Sequence, residues 1–235
     1  MRGLGAFLVV LAALAVCGGA DAIVGGAPDG NAHPYAGGFL QQQTHDGTTA
    51  FERCSGFLVG ATHFVTAAHC VEPGGRPIQL TFGPTLSPAD PNLIPATFTA
   101  SSGDVAVLTL DPRFARPGPY AALPARGESD TASAVDTVGY GVEGLDPKKA
   151  PTAFGLKSVA TTSLKSAGSL SDQTLKLLAS PGACLGDSGG PNLTSGTNTV
   201  LGMTESGSKN CNGVYFAQRL DTPAMLQFLA PFANS

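Results

Sequence analysis

The chain has 235 residues and a formal net charge of −4, with 13 Lys and Arg against 17 Asp and Glu. So sparse and slightly acidic a charge distribution excludes the basic footprint of a nucleic-acid binder, and 31 glycines, 18 prolines and no tryptophan suit short strands and turns rather than a helical bundle. The length fits one large all-β domain or two small ones.

Residues 1–22 read as a secretory signal: Arg2 gives the positive start, Phe7 to Val16 the apolar stretch, and Ala20-Asp21-Ala22 an A-x-A cleavage site. The apolar run is too short to span a bilayer comfortably. A lipoprotein reading of Leu14-Ala15-Val16-Cys17 puts bulky Val16 where cleavage before a lipidated cysteine wants a small residue. No later segment is long or apolar enough to cross a membrane, so a secreted protein without a stable membrane anchor is expected. Cys17 leaves with the signal. The remaining Cys54, Cys70, Cys184 and Cys211 are an even set in an oxidising compartment and read as two disulfides, with three possible connectivities. There is no Cys-x-x-Cys, no His-Glu-x-x-His and no acidic loop of calcium spacing, so neither metal nor cofactor is expected.

Cleavage after Ala22 makes Ile23-Val24-Gly25-Gly26 the new amino terminus. His33-Pro34-Tyr35 leads into a strand predicted over Ala36 to Gln42, and the polar run Gln43 to Thr49 reads as a loop. Phe51 to Val59 and Thr62 to Ala67 are apolar runs joined by a short turn, as in paired strands. Ile78 to Phe82 and Ala96 to Ala100 are weaker strands among Pro-rich loops. Asp104 opens Val105 to Leu110, which is apolar on both phases and therefore a buried strand headed by an acid. Asp111 to Glu128, carrying Pro112, Pro117, Pro119 and Pro124, has no periodicity and reads as a crossing between two halves. Ala134 to Tyr140, Leu156 to Thr162, Val200 to Thr204 and Val214 to Arg219 are further strands. Thr222 as N-cap and Pro223 at the first helical position start a terminal helix whose apolar face is Met225, Leu226 and Leu229.

The chemistry concentrates in Gly186-Asp187-Ser188-Gly189-Gly190-Pro191. A serine hydroxyl needs a general base and donors for the oxyanion it creates, and flanking glycines free the backbone for both. All four histidines, His33, His45, His63 and His69, precede residue 70. Gly186-x-Ser188-x-Gly190 formally fits the nucleophile elbow of α/β-hydrolases, but that fold places its histidine after the serine. The order here is His69, Asp104, Ser188.

Four segments in this order resemble the trypsin/chymotrypsin-like (S1-type) serine proteases: Ile23 to Gly26, Thr66-Ala67-Ala68-His69-Cys70, Asp104 to Leu108, and Gly186 to Pro191. The resemblance covers essentially the whole chain from Ile23. It implies an all-β, chymotrypsin-like fold of two antiparallel Greek-key β-barrels, the first over about 23–115 and the second over about 130–220, with a short C-terminal helix at about 222–231. It further implies Ser188 as nucleophile, His69 as base, Asp104 as its orienting acid, and the N–H groups of Gly186 and Ser188 as the oxyanion hole. Ile23, once its amino group is free, pairs with Asp187. With signal cleavage directly before Ile23, the enzyme is expected to emerge active, without a separate zymogen. The disulfides implied are Cys54–Cys70 and Cys184–Cys211. The partners implied are protein or peptide substrates, acted on by a monomer; a non-catalytic binding protein on the same fold, or an esterase using the same triad, are the other readings.

Primary specificity in the family is set around Gly182, Gly207 and Gly213. An open, neutral pocket there favours large apolar or aromatic side chains. The segment Glu205 to Cys211 departs from the pattern: Glu205 and Ser206 stand where relatives carry a small hydroxyl residue and then an aromatic. Glu205 either faces Asp104, where a second acid raises one carboxyl pKa, or reaches the pocket and favours basic residues. Asn192-Leu193-Thr194 matches a glycosylation sequon but falls in what should be a buried strand, so an unmodified core segment is expected.

Overall fold

The computed structural model describes residues 23–142, 144–146, 154–164, 172–178, 181–207 and 210–233. The signal sequence and its cleavage site lie outside them, as do Ser208 and Lys209. After a short β1 (Ala27–Pro28), the strands β2 (Ala36–His45), β3 (Thr48–Leu58), β4 (His63–Ala67), β5 (Ile78–Thr81), β6 (Ile94–Ser102) and β7 (Val105–Leu110) close a barrel in the order β2-β3-β4-β7-β6-β5. Its core is the inward face of alternating strands, with Phe39, Phe57, Phe64, Leu80 and Leu108 fully buried.

The second half contains β8 (Ala134–Gly139), β9 (Ser158–Ser163), β10 (Thr174–Leu178), β11 (Pro191–Thr194), β12 (Val200–Gly207) and β13 (Val214–Arg219). With β1 they form a seven-stranded antiparallel sheet in the order β1-β9-β8-β11-β12-β13-β10. The two barrels expected from sequence are therefore unequal. The first is fully laddered, whereas among the described residues the second is drawn round to itself by one isolated bridge, Leu164 to Leu177. The apolar core nevertheless runs on from the first barrel into Val138, Leu193, Val200 and Met203 of the second half and Leu229 of the terminal helix.

The polar run Gln43 to Thr49, expected as a loop, is mostly strand. β2 and β3 pair along ten registers from Ala36–Phe57 to His45–Thr48. Asp46 and Gly47 make the turn, with φ of 49° and 77°, the two positive φ values of a type I′ hairpin. Gln41 and Gln43 are buried polar side chains with partners: Gln41 Nε2 donates to the carbonyls of Glu72 and Arg76, and Gln43 Nε2 to that of Cys70. The helix α1 (Pro223–Leu229) starts where Thr222 Oγ1 accepts from Met225 N, and continues as a 3₁₀ turn over Ala230–Phe232. Met225 and Leu229 are its buried residues, while Leu226, expected on the same face, is only half-buried. Among the described residues no helix is long and apolar enough to cross a membrane.

Candidate active site

Strand register places the first two groups. Ala67, the last residue of β4, lies opposite Val105, the first of β7. The chain then turns through a 3₁₀ segment, Ala68–Cys70, as Ala68 N donates to Asp104 O at 2.7 Å. This brings His69 onto Asp104. His69 N donates to Asp104 Oδ1 at 3.0 Å, and Nδ1 lies 3.1 Å from Oδ1 and 2.9 Å from Oδ2. A carboxylate only accepts, so Nδ1 carries the proton and Nε2 is left with its lone pair. The turn is anchored from behind by the Cys54–Cys70 disulfide, with Cα atoms 6.4 Å apart. The hydrogen bond to Asp104 raises the His69 pKa above the usual imidazole value; burial opposes it, and the negative charges of Asp104, Glu52 and Glu205 add to it.

The loop carrying Ser188 is held by its neighbours' backbones. Asp187 N donates to Cys184 O and Gly190 N to Asp187 O. Gly189 N donates to Thr204 O at 2.7 Å, and Thr204 N returns to Gly190 O at 2.9 Å. Ser55, fully buried on β3, ties this loop to the first barrel: its N donates to Ser188 O at 2.8 Å and its Oγ to Gly186 O at 3.0 Å. The same Oγ accepts from Tyr140 N, and Ser55 O accepts from Thr66 Oγ1. Gly189 has a φ of 86°, and a Cβ there would overlap Ser55 O and lie 2.8 Å from Ala67 N. Only glycine lets the loop approach the histidine's strand this closely. Among the described residues, no acceptor takes up the N–H of Gly186 or of Ser188.

Asp187 points the other way, into a closed cradle. It is fully buried; Oδ1 accepts from Gly141 N and Oδ2 from Cys184 N, each at 2.8 Å. Cβ atoms at Gly139 or Gly141 would collide with its carboxyl group. Burial pushes its pKa up to about 8 against the pull of these two N–H donors. Ile23 is also fully buried, and the following Val24 bridges Gly182, with Gly182 N donating to Val24 O.

A cleft of about 430 Å³ opens beside Ser188. Ala183, Cys184, Thr204, Ser206, Gly207 and Tyr215 line it along with Gly186 and Ser188, while Phe51, Glu52, Arg53, Phe154 and Leu185 complete it. Gly207 is thus on the cleft wall. Gly182 is engaged by Val24, and Gly213 stands at a φ of 82° just before β13; neither lines the cleft. Cys184 and Cys211 are bonded, with Cα atoms 5.0 Å apart. Beneath the cleft, the Tyr215 hydroxyl meets Thr137 Oγ1 and donates to Asn192 Oδ1. Asn192 is fully buried, its Nδ2 donating to Gly202 O and Thr204 Oγ1, so the sequon nitrogen is enclosed by its own hydrogen bonds. Glu205 is absent from the cleft lining; its carboxyl is raised by partial burial and by repulsion from Asp104, with His69 opposing.

Sequence reasoning brings together His69 and Asp104 and places Ser188 in the cleft, but it misses Ser55, Gly139 and Gly141. Ser55 lies next to Cys54, and the Gly139-Tyr140-Gly141 alternation is a signal of close backbone approach at a strand end. The only trio of metal-ligand residue types among the described residues is Cys54, His69 and Cys70, two of them joined in the disulfide.

A family model described as Trypsin matches residues 23–222. Granzyme M of Rattus norvegicus is 28% identical over 211 residues, covering 79% of each chain. A solved HL collagenase shares the fold, with a TM-score of 0.68 and 18% identity over 89% of this chain and 97% of its own.

Proposed function

The chain belongs to the trypsin family of serine proteases, and on that premise we propose that it is a secreted serine endopeptidase with His69, Asp104 and Ser188 as its catalytic triad. The observation that carries this reading is the double engagement of Asp104 by His69. Main-chain N and ring Nδ1 both bind the carboxylate, which fixes the ring's tautomer and frees Nε2 as a base.

Ser188 Oγ attacks the scissile carbonyl carbon while its proton passes to His69 Nε2. The carbonyl oxygen becomes an oxyanion and takes the two unoccupied N–H groups of Gly186 and Ser188. As the C–N bond breaks, the proton moves from Nε2 to the leaving amine, and Ser188 holds the acyl group as an ester. Water repeats the sequence: it gives a proton to His69, attacks the ester, and releases the carboxylic acid with Ser188 restored.

Fluorophosphonate labelling tests the reading. Wild-type protein should be modified at Ser188 and cleave peptides, and Ser188→Ala should do neither; a wild-type chain that resists the probe would overturn it.

An apolar or aromatic residue before the cleaved bond is supported by Ala183, Gly207 and Tyr215, which bring no charge to the part of the cleft they line, whereas Glu52 and Arg53 line it from the first barrel. Profiling on a peptide library checks this: enrichment of Lys or Arg at that position would contradict it. For activation, the freed α-ammonium of Ile23 neutralises Asp187 inside its cradle. Its ordinary pKa of about 7.7–8.0 suits a pair made only after the chain is cut. The intact mass of exported protein should correspond to a start at Ile23; a start at Val16 or Asp21 is the contrary result.

A further inference from the structure

We propose that Glu205 is a second carboxylate of the His69–Asp104 centre, a positioning residue that favours the imidazolium form of His69 from the side of β12. The proposal rests on the reading of His69 as the base of the reaction.

Three placements lead to it. First, β12 is the strand to which the nucleophile loop is bound, through Gly189 N to Thr204 O and Thr204 N to Gly190 O. Glu205 is the next residue along. Second, the ladder slips there. Thr204 lies opposite Ala217 and Ser206 opposite Phe216, so Glu205 is the extra residue of a β-bulge. A bulge at the edge of a site re-aims a side chain that regular pairing would fix. Third, Thr204 and Ser206 on either side both line the cleft, whereas Glu205 does not. Its half-buried carboxyl interacts instead with Asp104 and His69.

Among the described residues, the charged groups that act on His69 are Asp104 from the turn before β7, Glu52 from β3 and Glu205 from β12, all of them acidic. Among the described residues, the charged groups that act on Glu205 are Asp104 and His69. As a carboxylate Glu205 adds negative charge where the transition state develops an imidazolium, and Asp104 retains the hydrogen bonding that sets the tautomer.

The test is an NMR titration of the His69 ring protons in the mature wild-type chain and in Glu205→Gln, with the pH dependence of kcat/KM measured alongside. A carboxylate acting at this range in a half-exposed setting moves a neighbour's titration by about 0.5–1 pH unit. The His69 midpoint and the acid limb of kcat/KM should both fall by that amount in Glu205→Gln, and Glu205→Asp should recover part of the shift. Glu205→Ser provides the same readout should the glutamine variant fail to fold. An unmoved midpoint in either folded variant overturns the proposal. So does a changed preference for basic residues in the substrate with the midpoint unmoved, which would make Glu205 a substrate contact. The ring titration needs no turnover, so a wild-type chain that resists fluorophosphonate would count against the protease reading separately.

Discussion

Asp104 and Asp187, the two acids given a part in the proposed chemistry of Ser188, lie in opposite environments. Asp104 sits at the mouth of the closed barrel with its side chain 19% exposed and takes hydrogen bonds from His69 alone. Asp187 has no exposure, lies in a cradle of two glycines, and is met by two backbone N–H groups and, among the described residues, no cation. The Asp104 carboxylate lies at a partly exposed edge with an imidazole as its hydrogen-bond partner. One in a dry cradle must stay protonated or acquire a cation. In the proposed reaction the first arrangement needs nothing more, whereas the second calls for a cation that a cut before Ile23 would supply.

Substitutions should separate the two. The largest effect is expected for Asp104→Asn, which reverses the tautomer preference of His69: kcat should fall by about 10⁴ while the denaturant midpoint stays near that of the wild type. Equal losses of activity and stability would erase the distinction. Gly139→Ala should do the reverse. Its Cβ collides with Asp187, and overpacking at a buried polar site should destabilise the fold by about 2–3 kcal/mol in chemical denaturation. Ser55→Ala comes next. It removes the donor to Gly186 O and the acceptor for Tyr140 N, and should cost about 1–3 kcal/mol, with slower acylation of Ser188 by a fluorophosphonate.

The last effect is a slope rather than a step. In a chain uncut before Ile23, Asp187 binds its proton up to about pH 8, whereas the unfolded carboxyl releases it near its ordinary value of 3.8. Its contribution to stability is therefore complete below the unfolded value and lost as pH rises through the folded one, by at most about 1.4 kcal/mol per pH unit. Urea midpoints of the uncut chain across this window should show that decline. Cleavage at Ile23 should flatten it, since the paired carboxylate no longer needs the proton.

The parts of the site carried by short contiguous motifs were legible in the sequence. His69 stands in Thr66-Ala67-Ala68-His69-Cys70, Asp104 heads an apolar run, and Ser188 is flanked by glycines; their order alone excluded the α/β-hydrolase arrangement. What escaped depends on register. Nothing local marks Ser55 as the residue facing both Ser188 and Gly186, because that follows from how two sheets meet. Polar Gln43 reads as the start of a loop because its buried hydrogen bond reaches Cys70, 27 positions away. β10 was missed because its alternation of Leu175 and Leu177 with polar residues spans only five positions. The bulge at Glu205 is a property of pairing with β13, and so is the direction in which its carboxyl points.

The dipeptide Cys54-Ser55 has a mechanical consequence. Cys54 is bonded to Cys70, the neighbour of His69, and Ser55 holds the carbonyl of Ser188. His69 and Ser188 are thereby linked through one disulfide, two peptide bonds and one hydrogen bond, a path that runs alongside the broad contact between the two sheets. The histidine turn and the serine loop are thus both fastened to the same strand, β3, at adjacent residues.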